Sequence, residues 1–68
     1  MVRDWLKESR LERGMTMAEI AKRLDLTESY YSRIESGERQ KKMDILLAHR
    51  LSEVLGIPVQ TIMEKETA

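Results

Sequence analysis

The sequence predicts an all-α domain of five short helices. Apolar residues recur at three- and four-residue spacing, as at Ile20 and Leu24, which is typical of amphipathic helices. Glycines follow three of these segments, at Gly14, Gly37 and Gly56, where helices commonly end. No segment shows the period-two alternation or the Asn-Gly and Asp-Gly turns that are typical of strands and hairpins. Together these observations favour a wholly helical fold.

The first helix is expected over residues 2–13. Val2, Trp5 and Leu6 share one stripe of it, among charged residues that would face solvent. Gly14 then ends this helix, because glycine readily adopts the left-handed conformation found just past a helix C-terminus.

The second helix, expected over 17–24, has a complete start signal. Thr16 can cap its first turn, and Glu19 lies three residues later, as a capping box requires. Met15 and Ile20 occupy the two positions of a hydrophobic staple. These signals indicate where the helix begins.

The third helix, expected over 28–36, follows almost at once. Thr27 can cap it, and only Asp25 and Leu26 separate that cap from the end of the second helix. A connection this short makes the two helices cross steeply, which is the geometry of a helix-turn-helix. Such a unit holds its second helix where it can enter the major groove of DNA.

Two further helices complete the predicted domain. Asp44 is a suitable N-cap for the fourth helix, which should end just before Gly56, and Pro58 opens a short fifth helix. A single domain is expected over 1–65, with a short C-terminal tail over 66–68. The residues expected to face inward from the fourth helix are Ile45, Ala48, Leu51 and Leu55.

Composition excludes several classes of function. The chain has 68 residues, no cysteine and one histidine, so disulfides and Cys- or His-rich metal sites are excluded and no cofactor is expected. No nucleophile–base pair or phosphate-cradling glycine loop is present, so an enzyme is not expected. The absence of a long apolar run and of a signal-peptide pattern predicts a soluble cytoplasmic protein that does not enter membranes. With a single domain expected, no small-molecule effector domain is expected either.

The distribution of charge is more informative than its sum. The chain has 12 basic and 12 acidic residues and a pI of ≈ 6.6, whereas a nucleic-acid-binding domain often has a pI above about 9. Arg39, Lys41 and Lys42 nevertheless cluster just after the third helix, and acids accumulate toward the C-terminus. A neutral chain can therefore still present a basic face.

The polar side of the third helix has the composition of a DNA-reading surface. A solvated helix face usually carries Lys and Glu at i, i+4 spacing. This face carries the short hydroxyls of Ser29 and Ser32 beside Glu28 and Arg33. Arg33 can bind guanine O6 and N7, and Glu28 can accept from cytosine N4. Geometry alone leaves open a pair of packed core helices with no DNA role.

Several short motifs resemble the phage-repressor and Cro-type helix-turn-helix regulators, the Xre family of bacteria and phages. The resemblance spans Leu6 to Met63 in order and spacing, and implies a five-helix lambda-repressor-like DNA-binding domain. The matching motifs are Arg10 with Gly14, and the segments 16–21, 34–37, 45–56 and 59–62.

The resemblance implies roles for individual residues. Base contacts are implied for Glu28, Ser29 and Arg33, and less directly for Ser32 and Thr27. Phosphate contacts are implied at the start of the second helix and in the loop after Gly37: Thr16, Met17, Arg39, Lys41 and Lys42. Apart from the resemblance, the Tyr30 hydroxyl is a further candidate phosphate contact, with its ring covering the core. Arg10 and Glu35 are implied to form a structural ion pair, although two separate surface charges remain the alternative.

Three positions depart from the family pattern. Met17 stands where the family usually has Gln, so only backbone amides can bind a phosphate at that helix start. Asp25 takes the turn position usually held by Gly, and Asp tolerates the left-handed conformation. The loop 38–43 is longer than usual and lacks its common Pro, which affects where Lys41 and Lys42 lie.

The sequence therefore predicts a transcriptional regulator, with repression as the favoured mode. It would bind a palindromic operator as a homodimer, with 28–36 in the major groove. Four apolar residues cannot all turn inward from the short fifth helix and are the expected dimer contact: Ile57, Val59, Ile62 and Met63. Two alternatives stay open, namely an antitoxin or restriction-modification controller of this fold, and a protein-interaction module that has lost DNA binding.

Overall fold

The computed structural model describes residues 2–67, and within that range it contains five α-helices and no strand. The all-α prediction is confirmed. None of these helices is long and apolar enough to cross a membrane. The helices are α1 (Asp4–Glu12), α2 (Met17–Arg23), α3 (Glu28–Ser36), α4 (Ile45–Leu55) and α5 (Val59–Thr67).

Side-chain caps explain where three of the helices begin. The Thr16 hydroxyl accepts from the Glu19 amide at 3.1 Å, and the Glu19 carboxylate accepts from the Thr16 amide at 2.9 Å, which completes the predicted capping box. Thr27 caps α3 by accepting from the amide three residues on at 3.1 Å. Asp44 caps α4 by accepting from the amide two residues on at 2.8 Å.

A single apolar core lies between the five helices. Helix α2 packs against α3, α4 packs against α5, and α1 reaches α3. The guanidinium of Arg13 links α1 to the C-terminus of α4, because its Nε donates to the carbonyl of Leu55 at 2.9 Å. The core residues are Leu6, Ile20, Ala21, Leu24, Tyr31, Ile34, Leu47, Ala48, Leu51, Leu55 and Ile62.

The inward stripe expected for α4 is wrong at its first position. Ile45 is 57% exposed, whereas Leu47 lies in the core. Helix α4 begins with three successive apolar residues, so helical spacing alone does not decide which of them turns inward. Val2, expected on the apolar stripe of the first helix, is likewise exposed and precedes α1.

Helix α5 extends further than the sequence predicted. It continues through Thr67, so residues 66 and 67 are helical rather than part of the tail expected over 66–68. Glu66 explains the extension, because its Oε2 accepts from the indole Nε1 of Trp5 at 2.8 Å and its carboxylate pairs with Arg3. Ala68 lies outside the described residues.

Candidate nucleic-acid interface

The turn between α2 and α3 is as tight as the sequence predicted. Asp25 adopts the left-handed conformation with φ 60°, so this aspartate replaces the usual glycine without opening the turn. The amide of Leu26 donates back to the carbonyl of Ala21 at 2.9 Å. Ala21 is buried and small, which lets α3 pass close to α2. The turn therefore holds α3 across α2 with one long face turned away from the core.

The outer face of α3 carries the residues expected to read bases. Glu28, Ser29 and Arg33 are exposed, and Ser32 is half-buried beside them. The Arg33 Nε lies 3.7 Å from Oε2 of Glu38, and both side chains are largely in solvent. That pair is weak, so Arg33 can exchange it for a base at little cost. The structure thus brings four of the five expected base-reading residues to one face.

Thr16 and Thr27, the two threonines expected to contact DNA, both serve as helix caps. The Thr16 cap brings the Glu19 carboxylate to the start of α2. Hydrogen bonds from the Thr16 amide, and then from its hydroxyl, lower the pKa of Glu19, so this carboxylate is charged at neutral pH. Met17 is half-buried against the core. A phosphate at this helix start would therefore meet backbone amides beside a negative charge.

The loop after α3 presents the predicted basic cluster. Arg39, Lys41 and Lys42 are all exposed. The two lysines line a cleft of about 230 Å³ whose other wall includes Met63 and Glu66. They therefore lie on the side of the loop that faces the end of α5, and Arg39 precedes them nearer to α3.

Gln40 fixes the middle of this loop and was missed at the sequence level. Its Nε2 donates to the Tyr30 hydroxyl at 3.0 Å, and its Oε1 accepts from the Asp44 amide at 2.9 Å. Tyr30, a candidate phosphate contact, thus has its hydroxyl at the edge of the loop while its ring packs on the core. No local pattern in the sequence identifies a glutamine that bridges two helices.

The ion pair implied for Arg10 and Glu35 is present and buried. The Arg10 Nε lies 2.6 Å from Glu35 Oε2, and both residues are 5% exposed. The hydrogen bond to Glu35 raises the pKa of Arg10. The Tyr31 hydroxyl donates to the same Oε2 at 2.6 Å, and burial, followed by this hydrogen bond, raises the pKa of Tyr31. These contacts join α1 to the core side of α3 and leave its outer face free.

The expected dimer contact is wrong for Ile62. Its side chain lies wholly in the core. Ile57, Val59 and Met63 are half-buried and pack against that core, so only part of each remains accessible. The large apolar side chains most exposed among the described residues lie elsewhere: Val2, Leu11, Ile45 and Leu46.

The outer side of α3 and the loop after it offer exposed hydrogen-bonding groups and cations. Within residues 2–67, no cluster of three or more His, Asp or Glu side chains has the geometry of a metal site. Every buried side-chain nitrogen and oxygen in the same range has a hydrogen-bond partner.

Comparison with known proteins agrees with this geometry. Residues 6–62, which include the α2–α3 pair and the loop after it, match the helix-turn-helix family. The uncharacterized HTH-type transcriptional regulator YqaF of Bacillus subtilis (strain 168) is 41% identical over 56 residues, covering 82% of this chain and 71% of that relative. No solved structure gives a significant match. The chain thus belongs to the Xre-type helix-turn-helix family of DNA-binding transcriptional regulators.

Proposed function

We propose that this protein recognises a specific double-stranded DNA sequence with α3 in the major groove. The observation that carries the proposal is the exposed face formed by Glu28, Ser29 and Arg33. Arg33 would bind guanine through O6 and N7, and Glu28 would accept from cytosine N4. The short side chain of Ser29 allows close approach to the bases, with Ser32 and Thr27 at the margins.

We propose that phosphate contacts flank this helix. The exposed cations Arg39, Lys41 and Lys42 follow α3 directly, and such contacts supply most of the affinity of a DNA-binding protein without reading its sequence. Tyr30 and the start of α2 at Met17 would add neutral hydrogen bonds. Binding alone accounts for this role, which needs no catalytic step.

We propose that the protein binds a palindromic operator as a homodimer. Each copy has one α3, and its backbone extends 26 Å along the longest axis, whereas successive major-groove sites on one side of a duplex lie roughly 34 Å apart. One copy therefore reaches one half-site, and two copies related by a two-fold axis would read two. The accessible parts of Ile57, Val59 and Met63 are the proposed contact between copies.

We propose repression as the mode of regulation. If the operator overlaps a promoter, a dimer across two successive major grooves would block access of the polymerase to that DNA. The protein would act in the cytoplasm, where bacterial promoters lie.

Selection of bound duplexes from a random DNA pool tests these proposals together. The expected result is a palindromic consensus with half-sites about 10 bp apart. Enrichment of a single half-site would contradict the homodimer. Failure to bind any duplex at low salt would contradict DNA recognition and favour a protein-interaction module. Transcription from a promoter that carries the selected site should fall when the protein is added, and a rise would contradict repression.

A further inference from the structure

Arg3 is a buried cation that the proposed DNA contacts do not use. It is only 1% exposed, and its amide donates to the carbonyl of Glu35 at 2.8 Å. Its Nε lies 2.9 Å from both carboxylate oxygens of Glu66, and its Nη2 lies 2.8 Å from Oε1. Trp5 donates to the same carboxylate at 2.8 Å. The guanidinium is therefore held by the final turn of α5.

The other side of the same guanidinium binds α3 and the loop that follows it. Nη1 donates to the carbonyl of Ile34 at 2.7 Å and to the carbonyl of Arg39 at 3.2 Å. Nη2 donates to the carbonyl of Gln40. Arg3 thus connects α5, the end of α3 and the loop 38–43 through one planar group.

The backbone of the loop turns two consecutive carbonyls toward the Arg3 guanidinium. Gln40 adopts the left-handed conformation with φ 57°, which is uncommon for a residue other than glycine. The carbonyls of Arg39 and Gln40 meet the buried guanidinium, while Arg39 and Lys41 have exposed side chains. Without Arg3 these carbonyls would lose their donor, which would favour loop conformations in which they hydrogen-bond to water instead.

Glu66 is what keeps the guanidinium buried. A buried charge is costly unless an opposite charge and hydrogen bonds compensate it. Glu66 is the carboxylate that pairs with Arg3, and its own side chain is almost completely buried. If Glu66 lost its charge, Arg3 would gain by turning toward solvent, and the loop carbonyls would lose their donor.

We propose that Arg3 is a positioning residue for the phosphate-contacting loop 38–43, and that Glu66 sets its position. This inference rests on the proposed function, because it assigns Arg39, Lys41 and Lys42 their place against the DNA backbone. The end of α5 therefore controls DNA affinity from a site that touches no DNA.

The variant Glu66→Gln tests the proposal, because the proposal predicts a change in DNA affinity opposite to the one that its charge alone would cause. Removing an acidic charge ordinarily strengthens DNA binding. Here we expect weaker binding, by the same factor on every duplex sequence. The plot of log affinity against log salt should also lose about 0.9 of slope for each phosphate contact that is lost. The measurement is a salt titration at a temperature where every variant is folded.

Three further variants distinguish positioning of the loop by Arg3 from a general loss of folding stability. Glu64→Gln makes the same charge change at an exposed site on α5 and should bind DNA as well as, or better than, the unmodified protein. Ile62→Val weakens the core beneath the same helix and should leave affinity and salt slope unchanged in the folded protein. Arg3→Lys keeps the positive charge but cannot span three carbonyls, and it should reproduce the loss seen in Glu66→Gln.

Hydrogen exchange without DNA distinguishes this inference from the proposed function. The Arg39 amide donates to the carbonyl of Arg33 at 3.1 Å, and it should exchange faster in Glu66→Gln than in Glu64→Gln. Equal exchange in these variants, or equal affinity and salt slope, would overturn the positioning role. Failure of the unmodified protein to bind DNA would instead contradict the proposed function, and the exchange result would still test the role of Arg3.

Discussion

The side chains of Arg10 and Glu35 meet inside the protein, with Nε and Oε2 2.6 Å apart. The Arg10 Nη1 also donates to the carbonyl of Met15 at 2.9 Å. These contacts fasten α1 to α3 and to the segment that leads into α2. Arg10 thus orients the proposed reading helix from its inner side.

Replacement of Arg10 should cost stability before it changes DNA preference. Arg10→Ala leaves the buried Glu35 carboxylate without its cation, so we expect a loss of about 3–5 kcal/mol in the free energy of unfolding. Arg10→Lys keeps the positive charge and should lower the free energy of unfolding by less. Urea unfolding measures both, and duplex selection at low temperature measures preference. A changed consensus at unchanged stability would contradict this structural role.

The capping box should make stability depend on pH. Its hydrogen bonds lower the pKa of Glu19 in the folded protein. The resulting stabilisation is complete above the ordinary, unfolded-state pKa of this carboxyl and is lost as pH falls through the lower pKa of the folded state. Glu19→Gln should therefore melt at a lower temperature than the unmodified protein near neutral pH, and this difference should shrink in acid. Thermal melts of both proteins across this range measure it, and a difference that grew in acid would contradict the capping role.

Arg33→Ala should relax one position of the selected operator. Loss of a bidentate guanine contact costs about 1–3 kcal/mol of binding free energy on the preferred sequence. Competition binding against operators altered at single positions measures this effect. An equal loss on all duplexes would show that Arg33 contacts only the backbone.

The neighbouring acid offers a matched comparison for Arg33. Glu38→Gln removes its exposed partner at 3.7 Å, so stability should change little and the consensus should stay the same. A Glu38→Gln variant with a relaxed consensus would indicate that the ion pair, rather than Arg33 alone, sets the preference.

The two loop lysines should affect all DNA sequences alike. Lys41→Ala and Lys42→Ala should each weaken binding without changing the consensus, and each should remove about 0.9 from the salt slope if its lysine contacts one phosphate. Fluorescence anisotropy over a range of salt concentrations measures both quantities. A variant with an unchanged slope would place its lysine away from the DNA.

Ile62 and Ile45 provide the same substitution at a buried and an exposed site. Ile62→Ala should lower the free energy of unfolding by about 2–5 kcal/mol, because it opens a cavity in the core. Ile45→Ala should change it by less than about 0.5 kcal/mol. Urea unfolding measures both, and equal losses would contradict the assigned packing of α4 and α5.

Local signals predicted the parts of the fold that depend on neighbouring residues. Capping patterns are present at Thr16 with Glu19, at Thr27 and at Asp44, and each predicts where a helix begins. The end of α3 follows from Gly37, which adopts the left-handed conformation. The left-handed turn at Asp25 also has a local cause, because its side chain tolerates that conformation.

Features that depend on distant residues could not be predicted in this way. Arg3 looks like a solvated charge until Glu66, 63 positions away, is brought beside it. The same pairing extends α5 beyond its apparent end. Ile62 was misassigned because the number of apolar side chains that α5 can bury depends on how it packs against α4, which spacing does not reveal.

The hydrogen bond from Trp5 to Glu66 has an optical consequence. Trp5 is the only tryptophan of the chain, and its indole lies on the carboxylate that holds Arg3. Its intrinsic fluorescence therefore responds to undocking of the end of α5 as well as to unfolding of the core against which Trp5 packs. Undocking of that end would change the emission while the helical circular dichroism of the other helices persists, so this protein carries its own spectroscopic label at the residue pair that we propose controls the loop.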